Sequence, residues 1–131
     1  MLTERDLELL RRPLFAMITT VPADDRIPSP RPVWFEVGDD HSIRMFSLAS
    51  SPRIRRLEAD PRASVVVSAP AGEPEHWVAV EGTVTIHTDG AQEFATGLSK
   101  RYWFDGVIED WSGMDLVRLV LTPEKVRRFT A

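Results

Sequence analysis

The chain has 131 residues, is 27% charged and 43% apolar, carries a net charge of −4 and contains no cysteine. That length suits one domain able to bury roughly two-thirds of its unfolded surface, and the absence of cysteine excludes a disulfide framework, a thiolate metal site and a cysteine nucleophile. The acidic balance argues against a general nucleic-acid binder, the first seven residues are charged rather than signal-like, and no apolar run approaches the ~20 residues needed to span a bilayer, so the expectation is one soluble, cytoplasmic domain over residues 1–131 with no nucleic-acid or membrane partner.

In chain order, Thr3, Glu4 and Asp6, then Leu7 and Leu10, then Arg11 and Arg12 predict an amphipathic helix over residues 3–12 that Pro13 stops. Residues 14–21 are apolar and β-branched and predict a buried strand; residues 22–28 predict a turn. Residues 31–37 read as a second strand with its prolines at the leading edge, turned at residues 38–41 into a third strand over residues 42–48. Residues 62–68 and 76–87 predict two further strands, the longer one bulged at Gly82. Asp89 and Gln92 fit a capping box for a helix over residues 90–103, with Ala91, Phe94, Ala95, Leu98 and Tyr102 on one stripe, ended by residues 103–106. Residues 116–121 predict a last long strand, and residues 122–124 a turn into residues 125–129. This order predicts a mainly β, antiparallel barrel with flanking helices.

Between the third and fourth strands lies a short helix with its charge at the wrong end. Ser51 is a good N-cap, Pro52 suits the first helical position and Pro61 forces Asp60 out of the helix. Arg53, Arg55 and Arg56 crowd the first turn, where free N–H groups already present partial positive charge, so each costs about 0.3–1 kcal/mol unless an anion sits there. Two readings stand: a phosphate site, favoured by the seryl cap and the guanidinium fork, or surface arginines neutralised by Glu58, Asp60 or Glu36.

Other constellations carry less. His41, His76 and His87 lack metal-ligand spacing, so no metal is expected, and no serine sits in a nucleophile elbow. No catalytic side chain is nominated. Trp34 and Trp77 read as strand residues for core or interface, while Trp103, Phe104 and Trp111 either wall a pocket or seal a barrel end.

Residues 15–21, 30–35, 51–57 leading into 60–65, and 80–83 (FAMITTV, PRPVWF, SPRIRRL with DPRASV, VEGT) resemble, in order and spacing, the pyridoxamine 5′-phosphate oxidase-like split β-barrel superfamily, and within it the flavin/deazaflavin oxidoreductase branch. The resemblance covers about residues 7–126 and implies an FMN-binding-like split β-barrel, a homodimer and cofactor sites at the subunit interface. It places the cofactor phosphate at Arg53 and Arg55, small hydroxyls beside it at Ser47 and Ser51, and Pro32, Val33 and Trp34 along the ring system. Arg56 stands where the family commonly has Asn, either losing a structural hydrogen bond or extending the basic surface, and residues 24–28 lack the family's hairpin glycine. True pyridoxamine 5′-phosphate oxidases are longer and carry an Arg and a His near the C-terminus for their substrate, whereas this chain ends EKVRRFTA, so the resemblance does not imply vitamin B6 oxidation.

The expectation is an oxidoreductase that passes hydride between coenzyme F420, or else FMN, and a small electron-poor substrate, with the cofactor supplying the chemistry. F420 is preferred because its acidic tail suits a basic run of Arg53, Arg55, Arg56 and Arg31. The alternatives are a non-catalytic flavin- or haem-binding protein and a cofactor-free dimer.

Overall fold

The computed structural model describes residues 1–103 and 111–131. Its elements are α1 (Glu4–Leu10), β1 (Ala16–Thr20), β2 (Arg31–Val33), β3 (Glu36–Val37), β4 (Ile43–Leu48), α2 (Pro52–Ala59), β5 (Arg62–Ser68), β6 (His76–His87), α3 (Ala91–Tyr102) and β7 (Leu116–Thr130). All strand pairs are antiparallel, in the order β2-β1-β5-β6-β7-β4-β3. The edge strands β2 and β3 are separated in sequence only by Trp34 and Phe35, so the chain steps from one edge of the sheet to the other and the sheet has to curl until they meet. The outcome is a mainly β split barrel with flanking helices, as the sequence led us to expect.

Period-2 alternation sends Ala16, Ile18, Val65, Val67, Val78, Val80, Leu119 and Leu121 inward, where they are buried with Phe35, Ile43 and Met45. Leu9 and Leu10 of α1 and Ile54 and Leu57 of α2 join the same core, which fixes both helices against the barrel.

Three sequence expectations are corrected. Residues 31–37 do not form one strand: β2 pairs with β1, β3 pairs with β4, and Trp34 lies in the step between them. No turn interrupts residues 122–124; β7 runs through them, and the register shift against β6 at Glu81/Gly82 leaves Glu124 as the extra residue, so the bulge accommodates the donor that Pro123 lacks. Asp89 does not cap α3, because Gly90 takes the N-cap position with a left-handed φ of 67° and no side-chain cap bond. Asp89 instead receives Arg118 Nε on its carbonyl at 2.7 Å, and Gln92 donates to the Met114 carbonyl at 2.8 Å.

Long-range polar contacts lock this arrangement. The Tyr102 hydroxyl donates to the Leu14 carbonyl at 2.6 Å and accepts from the Phe35 N–H at 3.1 Å, fastening the edge-to-edge step to α3. The Arg101 guanidinium donates to the carbonyls of Leu10, Arg11 and Arg12, satisfying the C-terminal end of α1. Asp6 is only 1% exposed and accepts from Thr3 N–H and from Arg128 Nε, at 2.8 and 3.0 Å. Burial alone would raise its carboxyl, but the bonds from Arg128 and Thr3 hold it below the usual carboxylate range.

Candidate cofactor site

The site is built on α2. The Ser51 hydroxyl accepts from Arg53 N–H at 3.3 Å and Pro52 opens the first turn, which holds no acidic residue. Because Ile54 and Leu57 are buried against the barrel, the helix projects its arginines elsewhere. Arg53 is half-buried and lies with Nη1 3.4 Å from the hydroxyl of Ser47, a buried β4 residue. Arg56 donates through Nε to the Thr20 hydroxyl at 2.6 Å. Burial pushes the Arg53 guanidinium below its ordinary value, and the nearby charges of Arg56 and Arg31 push it further the same way; as an arginine it remains charged.

The neutralised-surface reading fails for the acid best placed to serve it. Asp60 is engaged by Arg62 through Nε and Nη2, the shortest contact being 2.6 Å, which brings its carboxyl down to about 2. Among the described residues no ion pair involves Arg31, Arg53, Arg55 or Arg56. Arg31, Pro52, Arg55 and Arg56 line a cavity of about 580 Å³ whose other wall is the loop carrying Asp24 and Arg26. The one acid of that lining is already paired, Asp24 to Arg26 at 3.0 Å. A basic groove thus opens beside Pro52, the residue before Arg53. Helix N–H groups, serine hydroxyls and unpaired guanidinium forks are the donor set of a phosphate site. A second cavity, of about 450 Å³, lies on the far side of Thr20, Pro22 and Pro28 and mixes Glu81 and Glu124 with Lys125 and Arg62, a lining without the one-signed charge a phosphate requires. Among the described residues no three metal-ligating side chains converge.

Ser47, Ser51 and Arg53 are brought together, and Arg55 and Arg56 meet in the adjoining groove. Pro32 and Val33 lie on edge strand β2, exposed and half-buried respectively. Trp34 turns the other way, toward α3: it stacks on Tyr102 with centroids 5.0 Å apart and planes at 6°, and meets Phe46, Trp103 and Trp111 edge-on. Trp111 packs on Phe46 at 5.0 Å and donates to Ser99, which is fully buried, at 3.0 Å, so it seals the barrel flank. α3 ends at Tyr102 with Trp103 as its C-cap, at the start of the expected stop over residues 103–106; Phe104 and the rest of that stretch lie outside the described residues.

Sequence reasoning passed over Thr20 and gave Tyr102 only a place on an apolar stripe. A usable signal existed for Thr20: it is the polar member of the inward alternation Ala16, Ile18, Thr20, facing a helix rich in unpaired arginine.

The family model for pyridoxamine 5′-phosphate oxidase matches residues 2–129. Among solved structures, an F420 reductase superposes with a TM-score of 0.82 at 26% identity, covering 96% of this chain and 98% of that one. A conserved hypothetical protein from Mycobacterium tuberculosis superposes with a TM-score of 0.78 at 18% identity over 99% of this chain and 86% of that one. For an FAD-binding protein from Mesorhizobium loti the values are 0.71, 20%, 99% and 96%. No curated protein matches the chain by sequence.

Proposed function

The chain belongs to the pyridoxamine 5′-phosphate oxidase family, and from that premise we propose that it is a flavin-type oxidoreductase that holds the phosphate of coenzyme F420 at the first turn of α2. The observation that carries this reading is the arginine cluster, charged, partly buried and without ion-pair partners among the described residues. Arg53, with the hydroxyls of Ser47 and Ser51, grips the phosphate, and Arg55 adds charge from the groove. The backbone of Pro32 and Val33 borders the ring system.

Two observations support F420 over FMN. A basic groove lined by Arg31, Arg55 and Arg56 adds charge beyond that of Arg53, more than one phosphate needs and suited to an acidic tail. The F420 reductase is similar over nearly the whole chain at 26% identity. When bound, the cofactor supplies hydride chemistry for a small electron-poor substrate. This chain's residues bind the phosphate, orient the ring and exclude water; no dedicated acid or base is assigned.

The site is completed in a homodimer. Pro32, Met17, Val66 and Ala79 occupy one cross-strand row, so their side chains share a face, on which Met17 is 37% and Val66 38% exposed. That face is the proposed interface.

The test is fluorescence titration of the purified chain with F420 and with FMN, with the mass in solution measured alongside. The expected result is tight F420 binding, one per protomer of a dimer, and, when the protein is loaded with F420H2 reduced beforehand by a chemical reductant, oxidation of the bound F420H2 by quinones or activated enones. Tight FMN binding without F420 binding overturns the cofactor assignment, and a bound cofactor inert to a broad acceptor panel overturns the enzymatic one.

A further inference from the structure

Thr20 stands out because its position is one where an apolar residue is the default. It ends the inward alternation of β1 and is 6% exposed, beside core residues Ala16 and Ile18. A hydroxyl placed there needs a partner, and the partner is Arg56 Nε at 2.6 Å. Nε provides one of the five N–H donors of a guanidinium, so this bond leaves the four Nη hydrogens uncommitted, on a side chain that lines the basic groove with Arg31 and Arg55. A bond made only to tie α2 to β1 has no use for a cation. An uncharged amide would serve as well, without adding to the electrostatic load on Arg53, which the charges of Arg56 and Arg31 already press below its ordinary value after burial. An anion bound in the groove offsets that repulsion.

We propose that Thr20 is a positioning residue for anion binding: its hydroxyl holds Arg56 in place on the rigid end of β1, so that the Nη groups face the phosphate-bearing ligand with their rotamer freedom already given up. Pre-orientation of this kind raises affinity by cutting the ordering cost of binding. The inference rests on the reading of the α2 cluster as the cofactor phosphate site.

The experiment compares wild type, Thr20→Val, Thr20→Ser, Arg56→Ala and the Thr20→Val/Arg56→Ala double variant, measuring affinity for F420, FMN, riboflavin and inorganic phosphate, and thermal midpoint without ligand. Thr20→Val is expected to weaken the phosphate-bearing ligands by about 10-fold, to leave riboflavin unchanged and not to lower the ligand-free midpoint. Thr20→Ser restores wild-type affinity, and in the Arg56→Ala background Thr20→Val has no further effect. Wild-type affinity in Thr20→Val overturns the proposal, as does an equal loss in the Arg56→Ala background. If wild type binds inorganic phosphate with this Thr20 dependence but neither F420 nor FMN, the positioning role stands and the cofactor reading falls. If Thr20→Val binds the cofactor as wild type does, the reverse holds.

Discussion

Replacing Arg53 by Met is expected to weaken binding of the phosphate-bearing cofactor by about 10- to 150-fold, the loss of a charge-assisted bond contributing about 1.5–3 kcal/mol, while leaving the ligand-free protein no less stable than its parent. The two halves of this expectation have one cause. Arg53 is half-buried, its guanidinium makes a long 3.4 Å bond to the Ser47 hydroxyl, and Arg31 and Arg56 repel it. Without an anion those terms are nearly all costs, so a side chain of similar length and no charge removes desolvation and repulsion together. With the phosphate present, the same charge becomes the main attraction. An ordinary structural arginine behaves oppositely, losing stability on replacement and leaving ligand affinity unchanged. Thermal unfolding of both proteins with and without ligand separates the cases, and a destabilised Arg53→Met protein with undiminished affinity would sink the phosphate assignment.

The second large effect is expected at Gly82. A Cβ at this position would lie 1.9 Å from the Thr122 carbonyl oxygen and 2.9 Å from its carbon, far inside contact distance and against backbone that no rotamer change can move. Relief requires β6 and β7 to part at the bulge, the longest pairing in the sheet, breaking ladder bonds above the core residue Leu121. Gly82→Ala should therefore cost about 4 kcal/mol or more, a large share of the ~5–15 kcal/mol that holds a domain of this kind. Gly97 supplies the control: a Cβ there meets nothing within 4 Å, and its exposed position within α3 predicts a gain of about 0.5–1 kcal/mol for Gly97→Ala. Urea unfolding of the two variants measures both numbers. A Gly82→Ala midpoint matching the parent's would mean that the bulge can open without breaking the barrel.

Much of this molecule was legible because its signals are local. The valine alternation of β5, the long alternation of β6 interrupted at Gly82, and the cap, proline and arginines of α2 each depend on a few neighbouring residues. What escaped depends on pairing across the barrel. Nothing within residues 31–37 shows that their two halves bond to opposite edges of the sheet, since both halves have strand character and only the closure of the barrel separates them at Trp34 and Phe35. Pro123 reads locally as a breaker; opposite Gly82 it becomes part of a bulge within a continuous strand. Asp89 and Gln92 had the right spacing for a cap, but Gly90 could take the left-handed conformation that starts α3, and Arg118 claimed the aspartate. At the site, the excess of charge on α2 was visible as an electrostatic misfit. The tie between Arg56 and Thr20, 36 residues apart, was not.

The central claim is that the α2 arginines hold a phosphate. Its most direct measurement is the affinity of the wild-type protein for FMN against riboflavin, two ligands with the same ring system that differ only in the phosphate. The account predicts that riboflavin binds at least 10-fold more weakly, the loss of one or more charge-assisted bonds at about 1.5–3 kcal/mol each, and that added inorganic phosphate competes with FMN but not with riboflavin. Equal affinities, unaffected by phosphate, would contradict it.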